Sequence, residues 1–144
     1  MEEIKYGIVS IDEYDYSFNY DADFTGVDIS TVHYRLSHQI KTERENNHIE
    51  VRMKASVFSP ADDILYAEDA VRIVFTVEPF DTFIIGVDEN GFNVSQPTLM
   101  DSFLGIAIGA LRGILAKNLK GTQLSGCVLP LISMKDISKN ARRK

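Results

Sequence analysis

From Ile49 to Val57 apolar and polar residues alternate without a break: Ile49, Val51, Met53, Ala55 and Val57 share one parity, and Glu50, Arg52, Lys54 and Ser56 the other. A period of two with one apolar set predicts an antiparallel strand that buries a single face. The same period recurs on either side. Ile4 to Tyr20 reads as a strand in which Tyr14, Tyr16, Phe18 and Tyr20 alternate with Asp15, Ser17 and Asn19, and the acidic pair Asp12-Glu13 predicts a bulge or bend within it. Thr31 to Thr42 carries Val32, Tyr34, Leu36 and Ile40 on one parity, interrupted by His38. Leu65 to Val77 places Val71, Ile73, Phe75 and Val77 together. Loop chemistry separates these runs at Asp21 to Ser30, Glu43 to Asn47 and Ser59 to Asp63, and the short links predict an antiparallel meander.

After Glu78 the pattern changes. Pro79 interrupts the strand, Phe80, Phe83, Ile84, Ile85 and Val87 form a short apolar patch, and Asn90-Gly91 marks a turn, which together read as a crossover. From Leu99 to Leu119 the residues Leu99, Phe103, Ile106, Ala110, Leu111, Ile114, Leu115 and Leu119 recur at three- and four-residue steps, the period of a helix burying one stripe. Thr98, with Asp101 three residues on, reads as its N-cap, and Gly121 as its C-cap. Gly105, Gly109 and Gly113 stack on one face, each costing about 1 kcal/mol relative to alanine. That cost implies a close approach by another backbone, within this chain or across an oligomer interface. Cys127 to Ile132 is apolar but holds Pro130, and Ser133 to Asn140 reads as a short second helix. The predicted class is α+β: a four-stranded antiparallel sheet followed by a long helix and a short C-terminal helix. Residues 1–134 form a single domain, and 135–144 supply a short terminal helix and a basic, partly disordered tail.

Charge adds an asymmetry. Of the formal net charge of −6, the tail 135–144 contributes +4, from Lys135, Lys139, Arg142, Arg143 and Lys144 against Asp136, leaving −10 on residues 1–134. An acidic body argues against nucleic acid as a partner, because phosphate binding needs clustered Lys and Arg. The single cysteine excludes an internal disulfide, and the start MEEIKY lacks the profile of a signal peptide, so a cytoplasmic protein is expected. The uncharged run Ser102 to Leu111 is half of the roughly 20 residues that cross a bilayer, so no membrane span is expected. No G-x-S-x-G, Walker, G-x-G-x-x-G or H-E-x-x-H motif occurs. His33 and His38 fall on opposite faces of a strand, so the histidines predict no metal site, and no cofactor is implied. The acidic groups Asp12-Glu13-Asp15, Asp62-Asp63 and Glu68-Asp69 sit at bends or on polar parities, where carboxylates are solvated rather than catalytic.

Arg112 within the helix, Gly121-Thr122 just after it, and Pro130 in an apolar stretch that leads to Asp136 resemble the closing segment of the SecB family of export chaperones. The order of elements is similar across most of the chain. The resemblance implies a non-enzymatic holdase, assembled as a dimer or tetramer, that keeps unfolded preproteins or other polypeptide clients in apolar grooves. It also implies a partner, either the Sec translocation motor or a toxin-antitoxin system. Phe80, Phe83, Ile84, Ile85 and Phe92 are the client-binding candidates it suggests, and Asp12, Glu13, Glu68 and Asp69 the acidic motor-docking surface. Gly105, Gly109 and Gly113 are the candidates for oligomer or close helix packing. The alternative is a small-molecule binder, or a hot-dog-like thioesterase, with its pocket between sheet and helix.

Overall fold

The computed structural model describes residues 3–88 and 91–132. Its elements are β1 (Lys5–Phe18), β2 (His33–Glu43), β3 (His48–Phe58), β4 (Leu65–Glu78), a one-turn α1 (Phe80–Phe83), β5 (Ile84–Asp88), β6 (Gly91–Val94) and α2 (Pro97–Leu119). The first four strands form one antiparallel sheet in the order β1-β4-β3-β2, so the meander holds for β2 to β4. β1 departs from it. The segment 19–32 carries the chain across the sheet, and β1 pairs with β4 on the opposite edge. Its register shifts between Ile8 and Ser10 and between Glu13 and Asp15, so the bend expected at Asp12-Glu13 is a bulge one residue later, with a second one at Val9.

The alternation in β3 and β4 decides which face is covered. Ile49, Val51, Met53 and Val57, with Val71, Ile73, Phe75 and Val77, are buried under α2, which packs mainly on these two strands. Phe103 centres the contact, stacked on Phe75 at 4.1 Å between centroids and edge-on to Phe83 at 6.1 Å. The other face of the sheet is polar and ladder-like. Glu50 meets Arg52 and Arg72, Arg72 meets Asp12, and Glu68 meets Lys54. Pairs this exposed each contribute about 0–1 kcal/mol.

The crossover is more structured than a connection. Phe80 and Phe83 are buried in α1, and β5 pairs with β6 as a two-stranded hairpin. α2 begins one residue earlier than Thr98, at Pro97. Proline at the first helical position needs no N–H partner there, and Gln96 precedes it without a side-chain cap, so the expected Thr98 cap is not formed. The C-cap is Lys120 rather than the expected Gly121, which follows it with a left-handed φ of +83°, and Thr122 accepts from Leu124 N while donating to the Leu119 carbonyl at 2.6 Å. By length and hydropathy α2 would suffice to cross a membrane, but nine of its residues are buried in this fold. The expected terminal helix and tail lie outside the described residues.

Past α2 the chain returns over β2. Arg112 fastens this return, its guanidinium donating to the carbonyls of Leu129 at 2.8 Å and Pro130 at 3.0 Å. Leu124, Cys127 and Leu129 are buried there, and Tyr34 of β2 meets the Cys127 thiol and the Val128 backbone. Burial pushes the Tyr34 phenol up to about 12. Arg112→Ala is expected to lower unfolding free energy by about 1–3 kcal/mol, because two carbonyls lose a charged donor. Urea denaturation measures this, and Arg112→Lys should recover only part, since one ammonium does not reproduce the guanidinium fork.

Candidate functional site

β1 is the exposed edge. Tyr6, Ile8, Val9, Ile11 and Tyr14 are about half open or more, with Tyr6 at 62% and Ile8 at 51%. Pairing opposite Val77, Phe75 and Ile73 sets Tyr6, Ile8 and Ile11 on the same face as α2. At one end Tyr6 lies edge-on to Phe103, centroids 6.1 Å apart. At the other, Asn118 near the end of α2 reaches Glu13 at 2.6 Å. Ile8 and Ile11 lie between these two contacts. On the helix, Ile106, Ala110 and Ile114 follow Phe103 at three- and four-residue steps and therefore face β1. Ile106 is 40% exposed, against the expectation that it is core, while Ala110 and Ile114 are half-buried. The result is an apolar strip between β1 and α2, open among the described residues.

The expected client-binding residues divide. Phe80, Phe83 and Ile84 are buried, at 6%, 0% and 6% exposure, and belong to the core rather than to an open surface. The one-turn α1 points both of its aromatics inward, which spacing in a short apolar run does not reveal. Ile85 is exposed and Phe92 half-buried on the β5–β6 hairpin, and these two remain accessible. The apolar strip along β1 was not anticipated as a site. The signal for it was the density of Tyr and Ile on a strand whose neighbours are acidic.

The four acidic residues do not share a surface, because consecutive residues of a strand face opposite sides. Asp12 and Glu68 lie on the polar outer face, next to Arg72 and Lys54. Glu13 and Asp69 lie on the helix side, and Asp69 is completely buried, which removes it from any docking surface. The Asn118 amide nitrogen bridges these two, 2.9 Å from Asp69 Oδ2 and 2.6 Å from Glu13 Oε2. Burial, and then the hydrogen-bonded Glu13 carboxyl, raise the Asp69 carboxyl to about 7 despite the Asn118 bond that opposes them.

Gly109 and Gly113 are exposed, and among the described residues a Cβ at either position would meet nothing within 4 Å. The close approach expected for them is therefore not made by this chain's own sheet. Gly105 is half-buried. The helix–sheet interface is filled by Leu111, Leu115, Ile73 and Met53, all with no exposure. An open depression of about 610 Å³, lined by Glu3, Lys5, Asn47, Glu78 and Pro79, lies apart from α2 and is largely charged.

No protein-family model and no curated protein matches the sequence. Among solved structures, the chain is similar to the SecB-like chaperone of Mycobacterium tuberculosis, solved in complex with a ChAD peptide from the HigA1 antitoxin. The two share 10% identity over 89% of this chain and 88% of that one, with a TM-score of 0.55. The α+β fold is thus SecB-like.

The open space at Gly109 makes Gly109→Ala informative. Within one chain it should raise stability by about 0.5–1 kcal/mol, through the lower backbone entropy of alanine in a helix. If a second chain packs on this face, the added methyl weakens self-association instead, and sedimentation equilibrium beside thermal melting separates the two effects.

Proposed function

We propose that this protein is a non-enzymatic chaperone that holds unfolded polypeptide along the apolar strip between β1 and α2, with Ile85 and Phe92 of the hairpin adding further apolar surface. The observation that carries this reading is an edge strand bearing exposed Tyr6, Ile8, Val9 and Ile11 beside the partly open Ile106. An edge strand offers unpaired N–H and C=O groups, and a client in extended form gains main-chain hydrogen bonds there whatever its sequence. Apolar side chains along the same strand supply the burial that holds it. The antitoxin peptide bound by the similar mycobacterial chaperone agrees with clients of this kind, and an antitoxin is one candidate client.

The protein is proposed to work in the cytoplasm as a homo-oligomer, a dimer or tetramer, with the glycine face of α2 as one contact between copies. Open small residues on a helix let a second backbone come close. If the role is in export, Asp12 and Glu68 on the outer face are the acidic residues available to the Sec motor. Nothing favours a small-molecule pocket, since the helix–sheet interface is filled by core side chains.

Suppression of aggregation of a chemically unfolded client tests the proposal. The parent protein should protect at stoichiometric amounts, and Ile8→Glu combined with Ile11→Glu should lose at least about tenfold in client affinity while the fold persists by circular dichroism. Tenfold corresponds to about 1.4 kcal/mol, less than the burial of one isoleucine contributes. A folded parent that gives no protection overturns the reading.

A further inference from the structure

We infer that the C-terminal end of α2 is fastened to the β1 edge by a proton-dependent latch, in which Asp69 and Glu13 share one proton beneath Asn118 and release the helix end when both carboxyls ionise.

Asp69 interrupts an otherwise apolar inward row of β4, between Ala67 and Val71, with 0% exposure. In register it stands opposite Tyr16 of β1 and Ala55 of β3. Its Oδ2 accepts from Asn118 at 2.9 Å and the Ala70 backbone N–H faces the carboxyl, while the buried Oδ1 makes no well-formed hydrogen bond among the described residues. The Asn118 amide carries two hydrogens, and the Asp69 and Glu13 carboxyls take one each. Tyr16 adds a third tie, its hydroxyl donating to the Asn118 carbonyl at 3.3 Å. Three bonds therefore join β1 and β4 to the last turn of α2.

The charges that face this cluster have one sign. β1 contributes Glu13 and Tyr16, with Tyr20 beside Tyr16. β3 contributes the apolar Ala55, and the β4 neighbour Glu68 turns to the outer face with Lys54. From α2 come the neutral Asn118 and the partial negative charge of the helix C-terminus, while Lys117 and Lys120 are exposed to solvent. With both carboxyls ionised, two negative charges and a helix end converge on one neutral amide in a buried place. With one proton present, the Asp69 hydroxyl donates to Glu13, which lies within hydrogen-bonding reach.

The direction of the pH response follows. The folded pair binds its proton more tightly than free carboxyls in the unfolded chain do. The latch therefore contributes stability in full below the ordinary carboxylate range, and that contribution is lost as pH rises towards about 7. This differs from the usual paired carboxylate, which is lost on acidification. The inference does not depend on the chaperone reading.

Thermal melting of the full chain from pH 5.5 to 8.5 tests it, with hydrogen exchange of the amides at 115–119 scaled for intrinsic rates. The parent should lose about 5 °C or more in melting temperature between pH 5.5 and about 7 and level off above that, with faster exchange at the helix end. Asp69→Asn keeps an acceptor for Asn118 and a donor for Glu13, so it should hold the low-pH melting temperature and exchange at every pH. Glu13→Gln, which removes the carboxyl that helps to raise Asp69, should move the transition to lower pH and shrink the loss. A parent and Asp69→Asn with the same pH slope overturn the latch. So does an Asp69 carboxyl whose carbon chemical shift titrates in the ordinary carboxylate range, a reading that needs no variant to fold.

Discussion

One helix has to cover a sheet wider than itself. Four strands at about 4.8 Å spacing span about 14 Å between outer axes, while a helix with its side chains is about 10–12 Å across. α2 settles over the middle pair, β3 and β4, where Phe103 stacks on Phe75. Both edges are then left to other devices. On the β2 side the chain beyond the helix supplies a cover, held by Arg112 through the carbonyls of Leu129 and Pro130. On the β1 side no equivalent cover is present among the described residues. The open apolar strand is thus a geometric consequence of building the layer from a single helix.

That geometry also explains which sequence readings survive. The strands of the centre were legible because they are buried on one face only, and residues such as Val51 and Arg52 alternate accordingly. The exit of α2 was legible because Gly121 and Thr122 act locally, within a turn of the helix end. The phase of the helix was not. α2 is apolar around most of its circumference, including Met100, Leu104, Ala107 and Ile108, so three- and four-residue spacings fit more than one stripe. Ile106 fell on the wrong side for that reason.

The candidate site was less legible than the fold. A short run such as Phe80 to Ile85 contains apolar residues for both core and surface, and only tertiary packing sorts Phe83 from Ile85. Adjacent acidic residues look like one patch in sequence, yet Asp12 and Glu13 leave the strand on opposite sides. Asn118 joins residues 49 and 105 positions away, a separation no local pattern announces. The position of β1 beside β4 is equally non-local, and the exposure of its isoleucines depends on it.

The bulges at Val9 and Tyr14 divide β1 into three stretches of continuous register: Lys5 to Ile8, Ser10 to Glu13, and Asp15 to Phe18. Each is four residues long, fewer than a typical strand. A visiting chain laid along this edge can zip to one stretch at a time, with its side-chain parity reset at every interruption. Detachment then proceeds by short segments, each carrying a small share of the total grip. An edge broken in this way favours occupants that come and go over a partner that anneals along the whole strand, and it offers a poor template for the continuous stacking of fibrils.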